Sequence, residues 1–343
     1  MTTTTGHMPR PPSVPAGATS APRGRSTRWL ARYSWLGPLA ALLVLYLVFA
    51  ILRGETFATV ANLKTMVRQT TTVGIAALGM TLVIILGGID ISVGSTVALT
   101  TVVIATLLKS GTDPFGAALA GFVVAALCGF FNGALITSLR VPPFIVTLGA
   151  MGIIRGAAKG LAHEQKIDAP LSWLNDLLAE VGRGSWLVFP VGVWVMLLMA
   201  LLFGAVLRYT RFGRHVFAIG SNEEAARLCG VRVAPVKVSV YAIAAAMAGL
   251  AGLMQFSRLT VGDPTVASGL ELDVIAAVVI GGGSLSGGEG SILGTLVGAM
   301  LMTEIKTGST HVGLAMWIQE IITGVIIVVA VGLDRLRHRR LGG

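Results

Sequence analysis

Apolar runs in series limit this chain more than any other feature. They cover roughly residues 35–52, 70–87, 93–109, 115–138, 143–160, 187–207, 238–256, 272–283, 291–306 and 312–332. Most approach the ~20 residues that cross a bilayer, and the short ones border glycine-rich breaks. In lipid a backbone N–H or C=O must find its partner within the protein, so each run is predicted to be helical. Composition excludes the soluble alternative. Charged residues are 12% of the 343 and apolar residues 54%; a soluble domain carries about twice that charged share. The expected fold class is an all-α membrane protein of about ten transmembrane helices, some of them short or broken.

The formal net charge of +10 does not point to nucleic acid, because the basic residues sit in flanks and loops around apolar runs. With ten spans, one side gathers Arg10, Arg23, Arg25, Arg28 and Arg32 in the N-terminal stretch and Arg140 in a short loop. It also gathers Arg208, Arg211, Arg214, Arg227, Arg232 and Lys237 in a longer loop, and Arg335, Arg337, Arg339 and Arg340 at the end. Fewer basic residues fall on the other side, so both termini are predicted to be cytoplasmic. Residues 1–34 are rich in Pro, Thr, Ser, Gly and Arg and are expected to be a disordered tail. Residues 35–334 form the transmembrane domain, and 335–343 a basic cytoplasmic tail. No small-residue cleavage pattern follows the first run, which is expected to stay as a membrane helix. Cys128 lies in an apolar run and Cys229 in a basic loop, which suits neither a disulfide nor a metal pair. The histidines are scattered, so no metal site is expected.

Three interruptions differ from plain spans. In 87–95, GGIDISVGS, an acidic residue stands between two apolar runs. Asp90 and Ser92 can cap the following helix through their side-chain oxygens. An acidic residue at membrane depth also fits a contact to a solute or a gate, and the two readings stand together. In 280–290, IGGGSLSGGEG, the glycines resemble a phosphate loop, but no Gly-Lys-Ser/Thr ending follows and the flanks are membrane helices. A tight turn between short helices is expected there, with Ser284 and Ser286 capping the next one. The third interruption, 208–237, is the longest polar insertion. Ser221 or Asn222 suits an N-cap, Glu223 and Glu224 suit the positive end of a helix dipole, and Gly230 suits a helix end. Ala225, Ala226 and Leu228 give a small apolar face. A short amphipathic helix is predicted, lying on headgroups or docking a soluble partner.

Four stretches together resemble one family. They are GMTLVIILGGIDISVGS (79–95), FNGALITSLRVPPFIVTLGAMGIIRG (131–156), TRFGRHVFAIGSNEEAARLCGV (210–231) and ELDVIAAVVIGGGSLSGGEGSILGTLVGA (271–299). In this order and spacing the chain resembles the membrane-spanning permeases of ATP-binding-cassette importers, in particular the ribose-type sugar branch. The resemblance implies a homodimer in the bacterial cytoplasmic (inner) membrane, in contact with lipid. It also implies a cytoplasmic ATPase partner that binds ATP and Mg, a periplasmic or lipid-anchored sugar-binding protein, and no cofactor or catalysis on this chain. It assigns the segment Asn222, Glu223, Glu224, Ala225, Ala226, Arg227 and Gly230 as the coupling helix that docks on the ATPase. A monosaccharide path needs weak hydrogen-bonding and stacking groups, for which Asp90, Asn132, Phe144 and Thr147 are candidates; helix packing accounts equally for Phe144 and Thr147. A same-superfamily permease for branched-chain amino acids or nucleosides is one alternative. An ion-coupled secondary transporter is another, which would use Asp90 and Arg155 near broken helices. One stretch departs from the family: the Asn-Gly usual after the ninth helix is Lys306-Thr307-Gly308 here.

Overall fold

The computed structural model describes residues 36–179 and 189–342; the expected 1–34 tail lies outside them. The described chain is mostly helical. Six helices are long and apolar enough to cross a membrane: α1 (Leu36–Phe57), α2 (Val60–Ile85), α4 (Pro114–Leu139), α5 (Pro143–Leu161), α6 (Val191–Tyr209) and α9 (Val233–Leu259). The other helices are α3 (Val93–Lys109), α7 (Arg211–Ser221), α8 (Glu223–Leu228), α10 (Leu270–Ile280), α11 (Ile292–Val312) and α12 (Met316–Gly342).

The helix ends follow local chemistry. Asp113 Oδ2 accepts from the N–H groups of Phe115 and Gly116 at 3.0 and 3.2 Å, and Pro114 opens α4. This satisfies donors that a helix start leaves free, and leaves 110–113 as the short turn between α3 and α4. Thr59 caps α2 in the same way through Asn62 N at 3.1 Å. The helix therefore begins at Val60, ten residues before the apolar run at 70. Lys64, Arg68 and Gln69 mask its first turns from a hydropathy reading, yet they continue the same helix. α12 likewise runs on through the basic residues 335–342.

α2 is the central element. In its most apolar window 83% of residues are buried inside the protein, against 6% for α1. A helix apolar all round and buried all round is a core helix, while α1 presents its apolar surface outward. α4 and α9 meet almost backbone to backbone. A Cβ on Gly129 would lie 2.2 Å from Tyr241 O, and one on Gly133 2.7 Å from Val238 Cα. Small residues at such contacts allow the close packing that drives helix association in lipid. A feature with no sequence signal joins two distant loops: β1 (Ile167–Asp168) pairs antiparallel with β2 (Val261–Gly262).

Candidate functional site

The insertion 208–237 is not a loop with one helix in it. α6 runs to Tyr209, α9 starts at Val233, and two helices fill the space between. α7 is capped by Thr210, whose hydroxyl accepts from Gly213 N at 3.1 Å. α8 is capped by Asn222, not Ser221: Asn222 Oδ1 accepts from Ala225 N at 2.9 Å. Gly230 ends it at φ 83°, and Val231 N closes the turn on Ala226 O at 3.0 Å. That left-handed position favours glycine. Glu223 ties the helix to α9 through Lys237 at 2.6 Å and braces it internally through Arg227, one turn on, at 3.0 Å. The predicted apolar face of α8 is divided. Ala226 alone is buried against the protein, while Ala225 is exposed and Leu228 is 89% exposed. No other large apolar side chain among the described residues is so bare.

α7 carries this exposed helix into the body of the protein. Its Gly220 sits where the backbones of both glycine-rich breaks meet. Gly288 N donates to Ile85 O at 2.8 Å. A Cβ on Gly220 would fall 1.8 Å from Ile85 O and 2.7 Å from Gly288 N, and one on Gly287 would fall 2.6 Å from Gly220 O and 3.0 Å from Gly87 Cα. Three segments far apart in sequence thus touch without side chains between them. A backbone contact cannot yield by changing a rotamer, so movement of α7 has to be passed to both breaks.

The break 86–92 has its own fastening. Asp90 Oδ1 accepts from Ser92 N at 2.9 Å and Ser92 Oγ at 2.6 Å. Asn132 Nδ2 on α4 donates to Ser92 Oγ at 3.0 Å, and Thr147 Oγ1 on α5 donates to Ile89 O at 3.1 Å. The expected capping is corrected here: Ser92 precedes α3 but makes no side-chain cap, because its hydroxyl is spent on Asp90. Asp90 folds the turn instead of capping the helix. In the second break it is Ser291 that caps α11, through Gly294 N at 3.2 Å. Ser284, expected as a cap, donates to Asp334 Oδ2 at 3.0 Å, and Ser286 gives its backbone N–H to Ser284 Oγ at 3.2 Å.

The family model described as "Branched-chain amino acid transport system / permease component" matches residues 62–331. The chain belongs to that permease family. It is 39% identical over 302 residues to the ribose import permease protein RbsC of Bacillus subtilis, covering 88% of this chain and 92% of that one. It is 37% identical over 307 residues to the ribose import permease protein RbsC of Escherichia coli K12, covering 89% and 96%. The fructose import permease protein FrcC of Rhizobium meliloti is 34% identical over 304 residues, covering 87% and 84%. No solved structure gives a significant match.

Within this permease the four solute-path candidates do not share one place. Asp90, Asn132 and Thr147 are buried in the fastening of the first break, whereas Phe144 is exposed on the flank of α5. The stretch Lys306-Thr307-Gly308 lies inside α11 rather than after it. Lys306 pairs with Asp273, Thr307 Oγ1 donates to Gln69 Oε1 at 3.2 Å, and Gly308 packs on Phe49. Glu271 and Asp263 lie near enough to act on Arg155 electrostatically, but the hydrogen bonds of its guanidinium go to backbone. It donates to Pro264 O at 3.0 Å and Val266 O at 2.7 Å, pinning the loop after β2. Asp263 in that loop accepts from Thr265 N and Oγ1 at 2.8 and 2.7 Å and pairs with Lys166 at 3.2 Å. Partial burial pushes its carboxyl up, but the Thr265 hydrogen bonds and Lys166 outweigh this and hold it below the usual carboxylate value. The node around Gly220 had one visible signal in the sequence, glycines in all three segments, but not their meeting.

Proposed function

We propose that this permease is the membrane subunit of an ATP-driven importer for a monosaccharide, a pentose, hexose or related polyol. The observation that carries the reading is α8, an exposed helix joined through Gly220 to both glycine-rich breaks. A secondary transporter has no use for such a projection. The import of ribose and fructose named for its relatives supports a sugar as cargo, ahead of the amino acids in the family description.

Ten crossings are proposed: the six long helices together with α3, α10, α11 and α12. An even number places both termini in the cytoplasm, on the side of α8, in agreement with the basic bias. Two copies of the chain form the pathway in the bacterial inner membrane. A cytoplasmic ATPase, which holds ATP and Mg, receives α8, and an extracytoplasmic binding protein delivers the sugar. Nucleotide binding closes the ATPases, α8 and α7 move with them, and the two breaks follow, exchanging the open side of the dimer. Asp90, Asn132 and Thr147 shape the moving break, and Phe144 offers a ring to the path.

The test is uptake of labelled ribose, arabinose and fructose into proteoliposomes holding permease, ATPase and binding protein. One of the sugars should accumulate only with ATP and the ATPase, and ionophores should not matter. Uptake that survives loss of the ATPase and stops with an ionophore would overturn the reading.

A further inference from the structure

A cavity of about 280 Å³ opens beside the middle of α2, at Gln69, Thr72 and Val73. It lies between α2, the last turn of α9, the loop before α10, and α11. From Thr72 to Ile85 the axis of α2 rises roughly 20 Å, so the mid-helix cavity and the glycine node at the helix end are well separated along one helix. Its size is near the lower bound of about 300 Å³ for small-molecule sites, and like them it combines a mainly apolar lining with a few polar groups.

Two of its polar groups are buried and unused. Thr70 and Thr71 turn their hydroxyls back onto Met66 O and Val67 O at 2.8 and 3.1 Å. Thr72, 5% exposed, does not, and its Oγ1 has no partner. Asp273, 4% exposed, gives Oδ2 to Lys306 and leaves Oδ1 without a partner. A polar group buried without a partner is costly, and a solute that supplied one would recover that cost. The amides of Gln69 and Gln255 and the guanidinium of Arg258 complete the polar lining. The wall facing α2 is held in place: Arg155 grips the backbone at Pro264 and Val266, and the chain there passes through Ala267 at φ 59° and Gly269 at φ 81°.

We infer that this cavity is a cargo subsite within each copy of the permease, taking one neutral polyhydroxylated solute of monosaccharide size. Lys306 is neutralised by Asp273; the free Asp273 oxygen would repel an anion and the Arg258 guanidinium a cation. A solute with adjacent hydroxyls donates to that oxygen, exchanges hydrogen bonds with Thr72 and the two amides, and accepts from Arg258. The inference rests on the reading of the protein as a sugar permease.

The test is the same three-component uptake assay with ribose, arabinose and fructose, on Thr72→Val, Thr72→Ser and Gln255→Leu. Thr72→Val keeps the shape and removes the hydroxyl. It should lower the uptake rate about tenfold, the worth of one or two hydrogen bonds. Thr72→Ser should restore uptake, and Gln255→Leu should lower it independently. A wild type that transports a sugar, with Thr72→Val and Gln255→Leu equal to it, would show a water-filled gap and overturn the subsite alone. A wild type that hydrolyses ATP yet takes up none of the sugars would overturn the sugar reading and the subsite with it.

Discussion

At its Ile85 end α2 is met by backbone, and at its middle, around Thr72, by side chains around open space. The first contact is made by Gly220, Gly287 and Gly288, with no room for a methyl group. The second leaves Thr72 Oγ1 and Asp273 Oδ1 unpaired beside a cavity. One helix thus carries a close-packed end and a loose middle. A glycine contact resists deformation because nothing in it can rotate away. A cavity edged by free hydrogen-bonding groups can accept a solute and release it. Under the proposed function, the difference divides the labour of transport along α2: the tight end would transmit force from α8, and the loose middle would meet the cargo.

The largest expected effect attacks the tight end. Gly220→Ala should reduce ATP-driven uptake by at least about tenfold, because strain of about 1–3 kcal/mol cannot be relieved by side-chain motion. The control is Gly204→Ala on α6, which meets nothing within 4 Å and should leave uptake unchanged. Equal effects of the two would erase the contrast. A somewhat smaller effect is expected where the node faces its partner. Leu228→Asp should weaken binding of the ATPase about tenfold in a pull-down or titration, the scale of an interface hot spot. The melting temperature of the isolated permease should hold, since Leu228 touches little of its own chain. The smallest effect belongs to the loop that borders the loose middle. Asp263 has a lowered carboxyl pKa in the folded protein, so it adds stability above the unfolded value of about 3.9 and loses it as pH falls through the folded one. Asp263→Asn should lower the melting temperature slightly at pH 7, by no more than about 1 kcal/mol of stability given the exposed Lys166. The difference should shrink as the pH drops below about 4. A gap that widened in acid would reverse the sign and refute the pairing.

Helices and caps were legible in the sequence, while the node and the cavity were not. Apolar runs disclose helices, so α3, α4 and α5 lie within a residue or so of their runs, and Asn222, Glu223 and Gly230 disclose α8 because capping is local chemistry. The node is a long-range meeting of Ile85, Gly220 and Gly288. A glycine reads the same in sequence whether it meets a backbone, as Gly220 does, or empty space, as Gly204 does. The cavity was hidden for a related reason. Thr70, Thr71 and Thr72 are alike as letters, and only the packing decides which hydroxyl turns back on its helix. Ser92 misled for the opposite reason. It stands at a cap position, but Asp90 two residues away takes its hydroxyl.

The central claim is that α8, α7 and the second break move as one body. It is tested most directly by a spin-label distance measurement between Leu228→Cys and Leu285→Cys, with Cys128 and Cys229 replaced by serine, in the assembled transporter. The distance distribution should be the same without nucleotide and with ATP trapped, while the distance between position 228 in the two copies changes. A 228–285 distance that shifts or broadens with ATP would show that the node slips, and would contradict the account.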